Sequence, residues 1–505
     1  MTLAITRSIT LVGLRGEMVD IEVDVSHGLP SYVLLGLPDA ALFESRDRIR
    51  AAIANSHRQW PNRKVTVSLS PAWLPKSGSG FDLAIAVAIL AASQQISISE
   101  LRNTLFLGEL SLDGSLKPIR GVLPIALAAR SRGISRIILP RSNFEEAHLI
   151  EDVDVIGCDS LSDVLNWIST GESPSAAKLD LEFHEKAPTV DMSDVRGQSE
   201  CKFALEIAAI GAHHMIMIGP PGTGKTMLAE RFATILPELS YEAAIEVTAI
   251  HSVAGELRER SVVSRIPPFI SPHHSTTTAA MVGGGSQQIK PGAVSLAHHG
   301  VLFIDEAPEC ASGILDSLRQ PMESGVVSIS RASGTVTYPA RFLLILAANP
   351  CPCGRFYGRG RCECTSLQVR RYLNKLSGPL VDRMDLRVLV DTPRRRDLAG
   401  DNSEEKSATI RERIIKARQR GSIRFREESF TLNSQIPSDL LRSRYKAETQ
   451  AMTYLHTLID EEKITARGFH KVLRTAWSVA DLRELPRPGL PEVKRALELR
   501  EGLRA

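Results

Sequence analysis

Gly219-Pro220-Pro221-Gly222-Thr223-Gly224-Lys225-Thr226 decides how this chain is read. It fits the phosphate-loop pattern in full: a glycine, four residues, then Gly-Lys-Thr. Its surroundings fit as well. Met215 to Ile218 is a short apolar run suited to a buried strand, and Met227-Leu-Ala-Glu-Arg-Phe-Ala opens a helical pattern. Phosphate binding needs that order. Glycines let backbone N–H groups close around the phosphates, and the helix N-terminus adds the positive end of its dipole. Lys225 is expected to reach the β- and γ-phosphates of a nucleotide such as ATP, and Thr226 to ligate Mg²⁺.

Working outward, Val301-Leu-Phe-Ile-Asp305-Glu306 is an apolar strand ending in two carboxylates. Asp305 is expected to hold Mg²⁺ through its water shell, and Glu306 to orient and polarise the attacking water. Phe342-Leu-Leu-Ile-Leu-Ala-Ala-Asn349 is a second buried strand ending in an amide, which would hold the same water or read the γ-phosphate. Ser377-Gly-Pro-Leu-Val-Asp-Arg383 offers an arginine before the apolar run Leu386 to Val390. Arg383 either reaches across a subunit boundary to stabilise charge on the transferring phosphoryl group, or pairs locally with Asp382 or Asp385. Arg467, near the start of a C-terminal helix, is the candidate for a second sensor that swings onto the nucleotide, with Arg474 as fallback.

The 505 residues suggest about three domains. The expected division is an α/β domain over 1–168, a Pro- and Ser-containing linker over 169–190, a nucleotide-binding α/β core with a parallel sheet over 191–395, and a helical domain over 396–505. In the first of these, Ile21–Val25, Val65–Leu69 and Ile137–Leu139 read as strands, and Ala40–Ser56 and Phe81–Ala92 as helices. With 43% apolar and 24% charged residues the composition is that of a folded globular protein. The N-terminus lacks the apolar core of a signal peptide. The longest apolar run, Leu83 to Ala92, is too short to span a bilayer. A cytoplasmic location without membrane attachment is expected.

Four of the seven cysteines are clustered as Cys351-Pro-Cys353 and Cys362-Glu-Cys364 around a glycine-rich turn. In a reducing compartment such a set suits a closed, tetrahedral structural Zn²⁺, with an iron–sulfur cluster as the alternative. Between Arg341 and Arg426 there are 20 Lys and Arg against 9 Asp and Glu, whereas the first 170 residues carry 16 against 18. Arg355, Arg359, Arg361, Arg370, Arg371 and Lys375 fall in or beyond the cysteine loop, interleaved with Phe356, Tyr357 and Tyr372. Cations beside aromatics suit phosphate contact with base stacking, so this region is expected to touch DNA.

The series of motifs from phosphate loop to sensor arginine resembles an AAA+ ATPase. Ser271-Pro-His-His-Ser-Thr-Thr-Thr and Lys290-Pro-Gly-Ala-Val-Ser-Leu-Ala-His-His-Gly300 resemble the helix-2 insert of the magnesium-chelatase and MCM branch. Val326 to Tyr338, alternating about a Ser-Gly turn, stands where that branch carries its pre-sensor-1 hairpin. The resemblance implies that both elements line a hexamer pore and touch DNA, through Lys290 and Arg331. The first domain resembles the proteolytic domain of Lon in Leu74-Pro-Lys-Ser-Gly-Ser-Gly80-Phe-Asp-Leu-Ala and Leu107-Gly-Glu-Leu-Ser-Leu-Asp-Gly. Gly80 falls on the nucleophile position there and Leu123 on that of the lysine base, so a non-proteolytic structural module is expected.

The whole order is similar to the ComM/YifB family of bacterial magnesium-chelatase-like proteins. That resemblance implies a homo-hexameric, ATP-driven helicase acting on single-stranded and branched DNA. It would promote branch migration during homologous recombination in natural transformation, alongside other recombination proteins. A magnesium-chelatase-type motor subunit and an AAA+ protein unfoldase are the alternatives.

Overall fold

Two sheets and a helical cluster organise the chain. The structure is a computed structural model that describes all residues except 1, 38, 77, 98–100, 102, 175–189, 258–262, 286–288, 332–333, 357–361, 392–403 and 503–505. The first sheet has seven strands in the order Ser31–Leu35, Lys64–Ser70, Arg15–Ser26, Thr2–Val12, Thr104–Phe106, Arg136–Pro140, Asp154–Cys158. Within Arg15–Ser26, Val19, Ile21, Val23 and Val25 are buried and alternate with partly exposed Asp and Glu, the period-2 signature of a strand with one covered face. The apolar run noted above forms a helix, Asp82–Ala92, buried on every side. Among the described residues no helix is long and apolar enough to cross a membrane.

The second sheet holds the nucleotide motifs. Five parallel strands lie in the order Phe269–Ile270, Val301–Ile304, Leu343–Ala348, Met215–Ile218, Leu386–Leu389. The strand before the phosphate loop therefore lies between the one ending at Asn349 and the one following Arg383. Strands covered on both faces are apolar throughout, which is why they read as continuous runs. Residues beyond their C-terminal ends gather at one edge, where open α/β sheets place their ligand sites.

The hairpin expected at Val326–Tyr338 forms as Val326–Arg331 paired with Gly334–Pro339. It runs almost directly into Leu343–Ala348. A smaller hairpin pairs Gly284 with Lys290.

Helices Ser407–Arg424, Thr449–Asp460, Ala466–Leu482 and Leu490–Glu501 build the C-terminal cluster around Phe425, Tyr445, Leu473 and Trp477. It docks on the second sheet through polar contacts. Arg418 donates to the Ala209 carbonyl at 2.5 and 2.9 Å, and Ser478 meets His213 at 2.8 Å. The first domain docks too. Its Gly13 turn is seated on Val336 of the larger hairpin, where a Cβ would come within 2.6 Å, and Tyr241 donates to the Leu149 carbonyl at 3.1 Å.

The helix that closes the first domain, Leu161–Thr170, extends past the expected boundary at 168. Most of the linker expected over 169–190, and much of the connector before Ser407, lie outside the described residues. In the first domain Gly80 sits in a short 3-10 turn and Leu123 is buried in a helix. Ser79 hydrogen-bonds to Glu109, and the buried Lys76 ammonium donates to the Pro71 carbonyl.

Candidate functional site

The loop from Gly219 to Gly224 leaves the sheet and enters the helix Lys225–Ile235. Gly222 and Gly224 take φ of +77° and +88°, a region that side-chain-bearing residues seldom adopt. Gly219 is required for space: a Cβ there would meet the Val390 carbonyl at 2.3 Å. Thr223 closes the turn by donating to the Pro220 carbonyl at 2.9 Å.

Lys225 points back over this loop. Its ammonium donates to the Gly219 and Pro220 carbonyls at 2.8 and 2.9 Å and to Asn349 Oδ1 at 3.2 Å. Burial pulls its pKa below the ordinary lysine value, while the nearby Asp305 and Glu306 carboxylates act in the opposite direction. Thr226 donates to Asp305 Oδ2 at 2.6 Å, and Asp305 Oδ1 accepts the Glu306 N–H at 2.8 Å. Glu306 itself has φ +48°, a left-handed conformation uncommon for a residue with a Cβ and often associated with functional sites. Lys225, Thr226, Asp305, Glu306 and Asn349, separated by up to 124 positions, thus meet at one sheet edge. A buried ammonium, a hydroxyl–carboxylate pair and an exposed carboxylate are the types of group that phosphoryl-transfer sites use.

Sequence reasoning missed Gln198. Its amide donates to the Asp391 carbonyl at 2.5 Å and the Thr223 carbonyl at 3.4 Å, tying the phosphate loop to the end of the last strand. The signal was the Gly197-Gln198 pair before a helix, where both residues take positive φ.

The arginines lie elsewhere. Asp385 adjoins the first residue of Leu386–Leu389, which pairs with Met215 at the start of the phosphate-loop strand. Arg383 and its neighbours therefore lie beyond the end of the sheet opposite to the phosphate loop, with a four-residue strand of about 13 Å between the two ends. Arg383 pairs with neither Asp382 nor Asp385. It meets Glu323 at 2.6 Å and donates to the Pro379 carbonyl at 2.8 Å. Arg467 pairs with Asp382 at 2.7 Å at this same end, so it is not placed on its own chain's phosphate loop. The reason is the docking of helix Ala466–Leu482, fixed by Lys471 on Asp385 at 2.5 Å and on the Arg383 carbonyl at 2.7 Å. Arg474 is spent within the helical cluster, donating to the Ile436 carbonyl at 2.7 and 2.9 Å.

The Cys351, Cys353, Cys362 and Cys364 sulfurs all lie within 4.8 Å of one another. Three of the separations are 3.3, 3.6 and 3.7 Å. A tetrahedral Zn–S₄ centre with bonds near 2.3 Å spaces its sulfurs by about 3.8 Å, so the donor set fits. The loop also touches the phosphate loop: a Cβ on Gly354 would lie 2.5 Å from Pro221 Cδ.

Of the basic residues, Arg355 is exposed beside Phe356. Arg359, Arg361 and Tyr357 lie outside the described residues. Tyr372 is buried, 4% exposed, and is not available for base stacking. Lys290 and Arg331 are both exposed. Gly284, paired with Lys290, would place a Cβ 3.5 Å from the Arg331 guanidinium, so the two hairpins stand side by side. Tyr338 fastens them by donating to the Ile289 carbonyl at 2.6 Å.

Comparison with known families covers nearly the whole chain. The family described as magnesium chelatase, subunit ChlI, matches residues 191–398. Subunit ChlI of Mg-chelatase matches residues 21–143, and the ChlI C-terminal family matches 404–500. Among individual relatives, the uncharacterized protein Rv2897c of Mycobacterium tuberculosis is 46% identical, covering 98% of both chains. Competence protein ComM of Haemophilus influenzae is 39% identical, covering all of this chain and 98% of its own. YifB of Escherichia coli is 39% identical, covering 95% of this chain and 94% of its own.

Proposed function

Because the chain belongs to the family of magnesium-chelatase-like proteins that includes ComM and YifB, we propose that it is an ATP-hydrolysing, hexameric DNA helicase. In this reading it promotes branch migration during homologous recombination in natural transformation, in the cytoplasm. One juxtaposition carries the reading. Lys290 and Arg331 stand together on two hairpins, and each hairpin leads in sequence to a strand that ends in the nucleotide site, at Asp305 and at Asn349. Movement of the hairpins along a polyanion is thereby tied to the residues that handle phosphate.

Lys225 would serve the nucleotide phosphates, and Thr226 and Asp305 would hold Mg²⁺. When bound, that ion would supply neutralisation of phosphate charge. Glu306 takes the proton side of the attacking water, and Asn349 orients it. Arg383, with Arg467 beside it, is supplied by the neighbouring subunit, because both are held on partners at the other end of the sheet from their own chain's phosphate loop. The four cysteines would hold a structural Zn²⁺, bracing the phosphate loop through the close approach of Gly354 to Pro221. Cys353→Ser and Cys362→Ser should each lose stoichiometric zinc from the purified protein. Unchanged zinc content by elemental analysis would remove the assignment.

The chelatase alternative has weaker support. The magnesium-chelatase 38 kDa subunit of Rhodobacter capsulatus is 26% identical over 32% of this chain, against 39% over the full length for ComM. The deciding experiment measures ATP hydrolysis with and without branched DNA, using Lys225→Ala as control. DNA is expected to stimulate hydrolysis severalfold and a four-way junction to be moved. Hydrolysis indifferent to DNA would favour the chelatase-type or unfoldase reading.

A further inference from the structure

Arg383 is asked to serve a neighbouring subunit, yet it lies folded on its own chain with its side chain only 18% exposed. Its guanidinium meets Glu323 Oε1 at 2.6 Å and donates to the Pro379 carbonyl at 2.8 Å. Its Nε is buried and has no acceptor among the described residues. A buried donor without a partner marks a pose that a further acceptor would complete. Arg467, at the same end of the sheet, is engaged separately by Asp382 at 2.7 Å.

The two partners are anchored to different parts of the molecule. Lys471 of the helical cluster donates to the Arg383 carbonyl at 2.7 Å, which fixes the backbone of the arginine. Glu323 belongs to the short helix Arg319–Ser324, at the root of the larger hairpin. Gly325 follows with φ +67° and closes the hairpin base by accepting the Ala340 N–H at 2.8 Å, and Val326–Arg331 begins at the next residue. From Val326 to Arg331 the strand runs about 17 Å. A tilt at the end that carries Arg331 is therefore delivered to Glu323 at the root. Glu323 is 57% exposed, and an ion pair so exposed is weak, so a small displacement releases it.

We propose that Glu323 is a positioning residue that keeps Arg383 on its own subunit until the Arg331 hairpin engages DNA, and then yields it to the nucleotide of the neighbouring subunit. This rests on the DNA-motor reading above, in which Arg383 acts across the subunit boundary. The exchange is of like for like: the planar fork that pairs with a carboxylate also matches the oxygens of a phosphate. DNA held by one subunit thereby licenses hydrolysis in the next.

The test measures kcat and KM for ATP in the purified full-length protein, with and without branched DNA, for wild type, Glu323→Gln, Arg383→Ala and the double variant. All four are compared at a concentration where gel filtration shows the same assembly. Glu323→Gln should raise the DNA-free kcat by up to about fivefold, the span of an exposed ion pair, with KM unchanged. DNA stimulation should shrink by the same factor. Arg383→Ala should lower kcat, and adding Glu323→Gln to it should change nothing further. A DNA-free kcat in Glu323→Gln equal to or below wild type overturns the proposal. So does a rise that persists in the double variant, because Glu323 would then act through some other group. If DNA fails to stimulate even the wild type, the DNA-motor reading falls, and the DNA-free rates still decide whether Glu323 restrains Arg383.

Discussion

Glu306→Gln should retain ATP and lose hydrolysis by about 10²–10⁴-fold, the range for removing a positioned general base. The amide keeps the size of the side chain. It leaves in place Lys225, assigned to the phosphates, and the Thr226–Asp305 bond of 2.6 Å. Binding is therefore preserved while proton acceptance is lost. Retention of radiolabelled ATP through gel filtration, together with single-turnover hydrolysis, separates the two. Normal turnover in the purified variant would remove Glu306 from the role. Lys225→Ala is the contrasting case: it deletes the cation, so it should fail at nucleotide binding, with Glu306 still in place.

Lys471→Met should destabilise the protein by about 3–5 kcal/mol, the cost of leaving a buried charge without its partner. Asp385 is buried, and Lys471 meets its Oδ1 at 2.5 Å while the His214 N–H donates to Oδ2 at 3.0 Å. Burial by itself would raise the Asp385 pKa, but Lys471 and His213 outweigh it and hold the carboxyl well below the ordinary value of 3.8. The sign of the pH dependence follows. Because the folded pKa is depressed, the pair's contribution is full above the unfolded value and is lost as pH falls from there toward the folded one. Denaturant melts at neutral pH should show the full difference between variant and wild type, and the difference should narrow in strong acid. Equal stability at neutral pH would show that Asp385 finds another partner.

What the sequence disclosed was local. The phosphate loop, the two carboxylates after Val301–Ile304 and the amide after Leu343–Ala348 each follow an apolar run within a few residues. Such short-range order is visible without knowing the fold. The hairpin at Val326–Pro339 was legible for the same reason: its strands alternate about a Ser-Gly turn.

What escaped notice depends on distant partners. His274 comes within 3.4 Å of Glu306 through a parallel register between residues 32 positions apart. Arg383 finds Glu323 because a helix not adjacent to it in sequence packs against its loop. Tyr372 has the same composition context as Phe356, yet it is buried while Phe356 is 47% exposed. Arg467 goes to Asp382 because the helical cluster docks at the sheet's far end, a choice made by Lys471 and Asp385 and not by the residues around Arg467.

The strand order of the second sheet also sets a timetable for synthesis on the ribosome. All seven strands of the first sheet are made before residue 159, so that sheet can be completed early. Met215–Ile218 differs, because both of its neighbours, Leu343–Ala348 and Leu386–Leu389, come later in the chain. At elongation rates of about 5–20 residues per second its second flank emerges roughly 10–30 s after it does. Until Leu343–Ala348 is made, a strand as apolar as Met-Ile-Met-Ile has both edges unpaired, and one edge stays open until Leu386–Leu389 follows, a hazard for aggregation. The nascent phosphate loop is thus a natural client for chaperones, and a pause in translation between residues 218 and 386 would prolong its exposure.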